Sequence, residues 1–397
     1  MKKILIASYD MEVGGVERSL VSMLDHFDYD RHSVDLMLYK HQGEFMELLN
    51  RRARLLEEVP QYASFRKSIG QLLKERQFGL GVSRVLSKVN ADLIGRLRKS
   101  AEPGYFQMQL MWKYALPMLP KLDEEYDAAI SYLWPHYFVA DKIRAKRKFA
   151  WIHTDYSTVE TNRTMDLKMW AKFDRIAAVS EACRDSFLSK YPELADKTDI
   201  LENITSPEFI KRMASQGDAG PLQADDRFKL ITVARLSHAK GIDQAVKAMK
   251  LLKERGLRDL VWYIVGYGGD EAMIKELIAS YGLEKDFILL GKQTNPYPYI
   301  QAGDLYVQPS RYEGKAVTVT EAKILGKPIL ITNYPTAPSQ VEEGKDGLIC
   351  QSSPEGLADG IEKLYKSHEI RSRLAAYVRQ TNYSNGYELD KLYKWIS

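Results

Sequence analysis

Apolar positions along the chain follow two alternating rhythms. Lys2–Ser8 (KKILIAS) is a short strand-like run. After the loop Tyr9–Gly15, Val16, Leu20, Met23 and Leu24 recur at the spacing of one helical face. Ser33–Tyr39 reads as a second strand and Gly43–Asn50 as a short helix. From Ser64 to Leu119 the strand rhythm stops. Leu72, Leu73, Val82, Val85, Leu86, Val89, Leu93, Ile94 and Leu97 keep a ragged helical stripe there, with cations between them, which predicts a helical insert over about 64–120. Strands resume at Tyr126–Tyr132, Lys148–Ile152, Arg175–Val179 and Asp199–Leu201. Ser180 is placed to cap the helix that carries Phe187 and Leu188. Asn203–Asp226, polar and punctuated by Pro, Gly and Asp, reads as the interdomain linker and the start of the second half.

The second half alternates more cleanly. Strands are expected at Phe228–Ala234, Leu260–Val265, Phe287–Leu290, Leu305–Gln308, Ile329–Thr332 and near Cys350. Between them, Ile242, Ala245, Val246, Met249 and Leu252 mark one buried helical face, and Glu271–Tyr281, Val317–Leu325 and Pro354–Tyr365 read as further helices. Gly326 and Pro328 supply stop chemistry after Leu325. Strand–helix alternation in both halves implies parallel, doubly wound α/β sheets. The expected domains are 1–205 and 206–380, with 381–397 as a terminal segment whose helix starts near Tyr387.

Composition fits this picture. A chain of 397 residues is long enough for two ordinary domains. No apolar run approaches the roughly 20 residues that span a bilayer. The opening MKKILIASYD is a first strand rather than a leader, since Asp10 and Glu12 break its short apolar run. Cys183 and Cys350 show neither metal spacing nor a disulfide framework, which suits a reducing cytoplasm. The net charge is only +4, but Arg51–Trp112 holds twelve cations against five acids. Such a basic amphipathic insert suits an anionic membrane face, or else a solvated helix pair. It has no aromatic stacking pattern, so nucleic acid is not the expected partner.

Ligands of doubly wound sheets bind beyond the carboxyl ends of the strands. Gly14-Gly15, His153, Arg235 with Lys240, the loop Gly266–Gly269 including Gly268, Gly291, and Glu313 all fall there. Taken alone, the Gly pair is equally a tight turn, and His153 reads rather as a buried, hydrogen-bonded histidine. The stretch Asp304–Thr332 concentrates the chemistry. Glu313 and Glu321 stand eight residues apart, just over two helical turns, so both carboxylates can face one way. The amides of Ala316 and Val317 would open a helix where phosphate binds well. Arg235 and Lys240 are the cations for such a phosphate, a bidentate fork and a point charge.

VARLSHAKG, VGYGGDE, SRYEGKAVTVTEAKILGKPILIT and EEGKDGLIC, over about Phe228–Leu364, resemble the donor half of retaining glycosyltransferase family 4, and GGVERSL, the strand ending at His153, and AAVSE resemble its first half. The resemblance implies a GT-B fold of two facing Rossmann-like domains, the terminal helix crossing back to the first. It further implies that Glu321 holds ribose hydroxyls of a nucleotide-sugar, expected to be UDP-linked, and that Arg235 and Lys240 clamp its diphosphate. Glu313 and His153 would address the transferred sugar, Gly15 the phosphates, and Gly291, Lys292 and Gln293 the base. The family loop often reads E-G-F-G, whereas Lys315 and Ala316 occupy its last two places here. No Asp-x-Asp pair lies in a suitable loop, so no metal and no cofactor are expected. The expected acceptor is a glycan or lipid-linked sugar in cell-surface polysaccharide synthesis. Competing readings are a sugar phosphorylase or nucleotide-sugar epimerase on the same architecture, or a non-catalytic nucleotide-sugar-binding subunit.

Overall fold

The computed structural model describes residues 1–12, 14–98, 104–154, 156, 159–313 and 316–397, without the side chains of 66, 93–98 and 104. The chain divides into two units: Met1–Thr205 with Asn385–Ser397, and Ser206–Ser384.

The first unit is built on a wholly parallel sheet. Its strands are β1 (Lys2–Ser8), β2 (His32–Leu38), β3 (Arg54–Leu55), β4 (Glu125–Ser131), β5 (Arg144–Ile152), β6 (Arg175–Ala178) and β7 (Thr198–Ile200). They lie in the order β3-β2-β1-β4-β5-β6-β7, so the winding direction reverses between β1 and β4. Ile4 pairs with Val34 on one side and Ala128 on the other. Central strands covered on both faces need no polar alternation, and Ile4, Leu5, Ile6, Ala128, Ala129 and Ile130 are all buried. β5 begins four residues earlier than the apolar run suggests. Its first half, Arg144–Lys148, is charged because that end projects beyond the core.

The insert is helical at Pro60–Ala63, Ile69–Lys74, Phe78–Arg98 and Gly104–Ala115. Its long helix packs through small side chains and turns most of the large apolar stripe outward. Ser83, Ser87 and Ala91 form the packed face with Leu80, while Phe78, Val82, Val85, Leu86 and Val89 are 46–59% exposed. Small side chains permit close approach to the helix Gly104–Ala115, and the large apolar ones face outward. Exposed Lys74, Arg76 and Lys88 flank that face. Other cations of this region are committed elsewhere: Arg54 of β3 forks onto Asp35 at 2.8 and 2.6 Å, and in the insert Lys67 pairs with Glu75 and Arg84 donates to the Ser64 carbonyl.

The second unit repeats the plan with β8 (Phe228–Val233), β9 (Leu260–Val265), β10 (Phe287–Gly291), β11 (Leu305–Gln308), β12 (Ile329–Thr332) and β13 (Leu348–Cys350). The order β10-β9-β8-β11-β12-β13 is that of a dinucleotide-type sheet, with its reversal between β8 and β11. The stretch read as linker and start of this half holds a helix that the apolar pattern did not mark. Pro207–Gln216 is a helix, capped by Ser206, whose side chain accepts from the Phe209 amide. It belongs to this unit and buries Phe209, Ile210 and Ala214. Polar composition hid a helix because only one narrow face is apolar. The helices Arg163–Trp170, Tyr297–Ala302 and His368–Gln380 were likewise not legible from apolar spacing.

The terminal helix Leu389–Ile396 closes the first unit. Tyr393 stacks on His32 at 5.2 Å and accepts from the Asp28 amide at 2.7 Å, and Trp395 meets Phe149 at 5.6 Å. Asn385 fixes the approach, accepting from the Thr205 amide and donating to the Asn203 carbonyl. Leu392 is fully buried in this seam. Leu392→Ala is expected to destabilise the first unit by about 2–5 kcal/mol, measured as a lower urea midpoint for its unfolding transition.

Candidate active site

The reversal between β8 and β11 opens the sheet at its carboxyl end, and the two loops that leave there carry opposite charges. After β8, the chain passes Arg235, turns through His238–Lys240, and enters a helix at Gly241. Gly241 has φ of +64°, and a Cβ there would stand 2.0 Å from the Pro309 carbonyl oxygen. Only glycine allows the β8 loop to lie that close to the end of β11. The result is a short ion pair, Lys240 Nζ to Glu313 Oε2 at 2.6 Å.

Glu313 is 95% buried, so its charge requires partners. Its second oxygen, Oε1, accepts from Ser310 Oγ at 2.6 Å and Gln308 Nε2 at 3.1 Å. Thr336 donates to its backbone carbonyl at 2.8 Å. The loop itself is braced by Arg311, whose guanidinium forks onto Asp243 at 2.6 and 2.7 Å, while the Arg311 amide donates to the Ala239 carbonyl. Burial works to raise the Asp243 carboxyl, yet the Arg311 fork overrides it and holds the group below the usual carboxylate value.

Glu321 lies on the helix Val317–Ile324, fully buried, and accepts from the Tyr297 hydroxyl at 3.0 Å. Both carboxylates act on one neighbour. Tyr306, whose hydroxyl donates to Gln308 Oε1 at 2.7 Å, is held protonated by burial, and the negative charges of Glu321 and Glu313 both add to that. Glu313, Glu321, Lys240 and Gln308 thus form one polar cluster at the switch point.

The helix start differs from the open amide pair expected there. Ala316 adopts an ordinary extended conformation (φ −78°), and its amide donates to the Gln340 side-chain oxygen at 3.0 Å. Gln340 therefore occupies the place expected for an anion, because a buried amide takes a carbonyl partner when one is within reach. Val317 is exposed at the first helical position. Lys315 lies outside the described residues, as does Gly314. Arg235 is exposed at the end of β8, without an ion pair among the described residues.

The glycine loop after β9 packs on the β8 loop. A Cβ at Gly266 (φ +148°) would meet the Ala234 carbonyl oxygen at 1.9 Å, and one at Gly268 the Leu236 carbonyl oxygen at 2.2 Å. These glycines serve backbone–backbone contact first. Lys292 and Gln293 close β10 at the edge of the sheet: Lys292 is exposed, Gln293 donates to the Leu290 carbonyl, and neither joins the Glu313 cluster among the described contacts. Gln308, Ser310, Tyr297, Thr336 and Gln340 were not singled out from sequence. A polar Gln ending the apolar strand LYVQ was the one available signal.

Gly15 and His153 belong to the first unit. Gly15 opens the helix Gly15–His26, and a Cβ there would meet nothing within 4 Å, so sterics do not demand glycine. His153 follows β5, and its ring stands 4.9 Å from Tyr132 with Nε2 buried and unpartnered. Nearby His136 is fully buried, with Nδ1 2.8 Å from Ser131 Oγ. Burial lowers His153 to about 4 and His136 to about 3, so both imidazoles are neutral in the folded protein. The unfolded chain takes up protons at these histidines near pH 6.5, before the folded one does. Stability of the first unit should therefore fall as pH drops from about 6.5 toward 4, by up to about 1.4 kcal/mol per pH unit for each histidine. Urea titrations across that range on wild type and His153→Gln check this; the slope should be shallower in the variant.

With this geometry established, comparison with known proteins adds the following. The family model described as glycosyl transferases group 1 matches residues 218–381. The alpha-D-kanosaminyltransferase of Streptomyces kanamyceticus is 26% identical over 208 residues, 50% of this chain and 53% of that protein. The amylovoran biosynthesis glycosyltransferase AmsK of Erwinia amylovora is 30% identical over 141 residues, 34% of each. The chain thus spans about half, or less, of these curated relatives. Anabaena Alr3699/HepE, solved in complex with UDP and glucose, has 19% identity, a TM-score of 0.66, and coverage of 99% of both chains. By architecture the chain has the two-domain GT-B fold, and its residues 218–381 match the glycosyl transferases group 1.

Proposed function

We propose that this protein is a retaining glycosyltransferase that moves a hexose or N-acetylhexosamine from a UDP-sugar to a glycan or lipid-linked acceptor in cell-surface polysaccharide synthesis. The observation that carries the reading is the Lys240–Glu313 pair at the switch point of the second sheet, with buried Glu321 beside it. Glu321 accepts hydrogen bonds from ribose hydroxyls. Lys240 has two donors left beyond Glu313, and with Arg235 it neutralises the diphosphate as it leaves; preorganised charge of this kind lowers the barrier without reorganisation. Gln340 swings off the Ala316 amide as phosphate arrives, and Lys315 and Val317 flank that position. Glu313, already held by Ser310 and Gln308, orients a hydroxyl of the transferred sugar. His153, neutral at physiological pH, is a hydrogen-bonding group that adds no charge. The acceptor attacks on the face the diphosphate leaves from, and its proton passes to the departing phosphate oxygen, so configuration is retained with no enzyme adduct. Metal is not required in this scheme, and a chelator should leave turnover unchanged. UDP in the HepE structure and the polysaccharide role in the AmsK name support the donor and the pathway class.

A panel of nucleotide-sugars, screened by thermal shift and then by nucleotide release, tests the donor. Glu321→Ala should weaken UDP binding about tenfold or more, since hydrogen bonds to a charged acceptor are worth about 1.5–3 kcal/mol each. Unchanged affinity by calorimetry would remove the ribose assignment. Glu313→Gln should lower kcat by about 100-fold while UDP binding persists. Product of inverted anomeric configuration, or a glycosyl adduct on Glu313 by mass spectrometry, would refute the front-face mechanism.

We further propose that the exposed stripe Phe78–Val89 rests on the inner face of the membrane, where a lipid-linked acceptor resides. A row of large apolar side chains flanked by Lys74, Arg76 and Lys88 matches an interfacial helix on anionic lipid. Among the described residues no helix is long and apolar enough to cross a membrane. Co-sedimentation with vesicles containing phosphatidylglycerol should be strong for wild type and largely lost in Val82→Asp/Val89→Asp, with neutral vesicles binding weakly. Equal sedimentation of both proteins would count against the idea.

A further inference from the structure

The second unit holds a cavity of about 790 Å³ at the amino ends of its strands, the end opposite the Glu313 cluster. It is formed where β8, β11 and β12 begin and where the helix His368–Gln380 crosses beneath them. That helix turns one face into the cavity, with His368, Arg371, Ala375 and Arg379 on it. The volume is within the range of small-molecule sites, roughly 300–1,000 Å³.

Its cations divide into two kinds. Some are committed to the fold. Arg227 forks onto Asp225, Lys229 donates to the Asp225 carbonyl, and Arg371 donates to the Tyr365 carbonyl while lying 4.9 Å over the Phe228 ring. Lys327 and Arg379 are different: neither side chain has a hydrogen bond or an ion pair among the described residues. They are also neighbours. Arg379 lies across Gly326, so a Cβ there would stand 2.8 Å from both its Cγ and its Nε, and Lys327 is the next residue. Burial pushes the Lys327 ammonium down to about 8; Asp304 opposes this, and Arg379 and Lys229 add to it. Asp304 is itself engaged by the Lys229 amide at 2.8 Å, and Asp226 and Asp259 are the other acids of the lining. A half-buried ammonium beside an uncommitted guanidinium is a repulsive pair that a shared anion would relieve. The aromatic side chains Phe228 and Tyr365, in edge contact at 5.3 Å, give the same cavity an apolar wall.

We propose that this cavity is a second ligand site, distinct from the donor site, in which Lys327 and Arg379 together grip the phosphate of a small phosphorylated molecule. The guanidinium supplies a planar fork and the ammonium a point charge, the pairing suited to a phosphate dianion. The competing role for the two cations is to complement the carboxyl end of the helix Val317–Ile324, which stops beside them.

Inorganic phosphate and pyrophosphate are the probes, titrated by calorimetry at constant ionic strength. Wild type should bind with a dissociation constant on the order of 1 mM or lower. Lys327→Met/Arg379→Met should weaken this about tenfold or more, Lys327→Arg should retain it, and Lys240→Met should leave it in place. Acylation of lysines in wild-type protein gives a readout that needs no variant: phosphate should slow modification of Lys327, scored by peptide mass spectrometry. Three outcomes overturn the inference. One is no saturable binding, which would leave the cations to the helix end alone. Another is binding lost in Lys240→Met but kept in the double variant, which places the phosphate at the donor site. The third is acylation of Lys327 at the same rate with and without phosphate. None of these bears on turnover of a nucleotide-sugar, so this proposal and the donor assignment fail separately.

Discussion

A buried carboxylate sets the terms for the second unit. Glu313 sits in the loop after a central strand with almost no access to water, where an unneutralised charge would cost several kcal/mol. Three groups answer that cost, the Lys240 ammonium, the Ser310 hydroxyl and the Gln308 carboxamide, while Thr336 holds its backbone carbonyl. They come from the β8 loop, the end of β11 with its loop, and the segment after β12. Satisfying one residue therefore fixes the β8 loop, the β11 loop and the segment after β12 against one another. Gly241 belongs to the same constraint, since any side chain there would push the Lys240 turn away from Pro309.

The helix Val317–Ile324 transmits that order along the chain. At its start the Ala316 amide is held by Gln340, and at Lys323 the same segment is tied again. Lys323 is buried, donates to the Gln340 carbonyl, and pairs with Asp346 at 2.6 Å. Burial lowers the Lys323 ammonium while Asp346 pulls it back up, the balance expected of a structural ion pair away from solvent. The loop 336–347 is thus clamped to one short helix at two places. Glu321, midway along it, is oriented by Tyr297 from a neighbouring helix. A carboxylate held in this way can select a particular hydroxyl, whereas one that rotates freely recognises none.

The first unit shows the opposite use of charge. His136 and His153 are kept neutral by burial, and the basic insert spends Lys67 and Arg84 on its own segments. What it leaves outward is a row of large apolar side chains together with the exposed cations Lys74, Arg76 and Lys88. The long helix Phe78–Arg98 packs through Ser83, Ser87 and Ala91, so its larger side chains are free for something other than the core of this unit.

The alternation of apolar strands and amphipathic helices determined the two parallel sheets, because burial on both faces leaves a signature that neighbours in sequence share. The pattern also locates the loops after β8 and β11 that hold Arg235, Lys240 and Glu313, and the helix that carries Glu321. Sequence alone did not decide which face of the insert helix is buried. Helical spacing marks a stripe but cannot say what packs on it, and here small residues won through close helix–helix approach. Nor did it find the helix Pro207–Gln216, whose apolar face is too narrow to stand out in a polar segment. Gln340, Tyr297, Ser310 and Arg311 entered the site only through the fold. A hydrogen bond between residues 24 apart, such as Ala316 to Gln340, leaves no periodic trace in the chain, and only tertiary packing brings its two ends together.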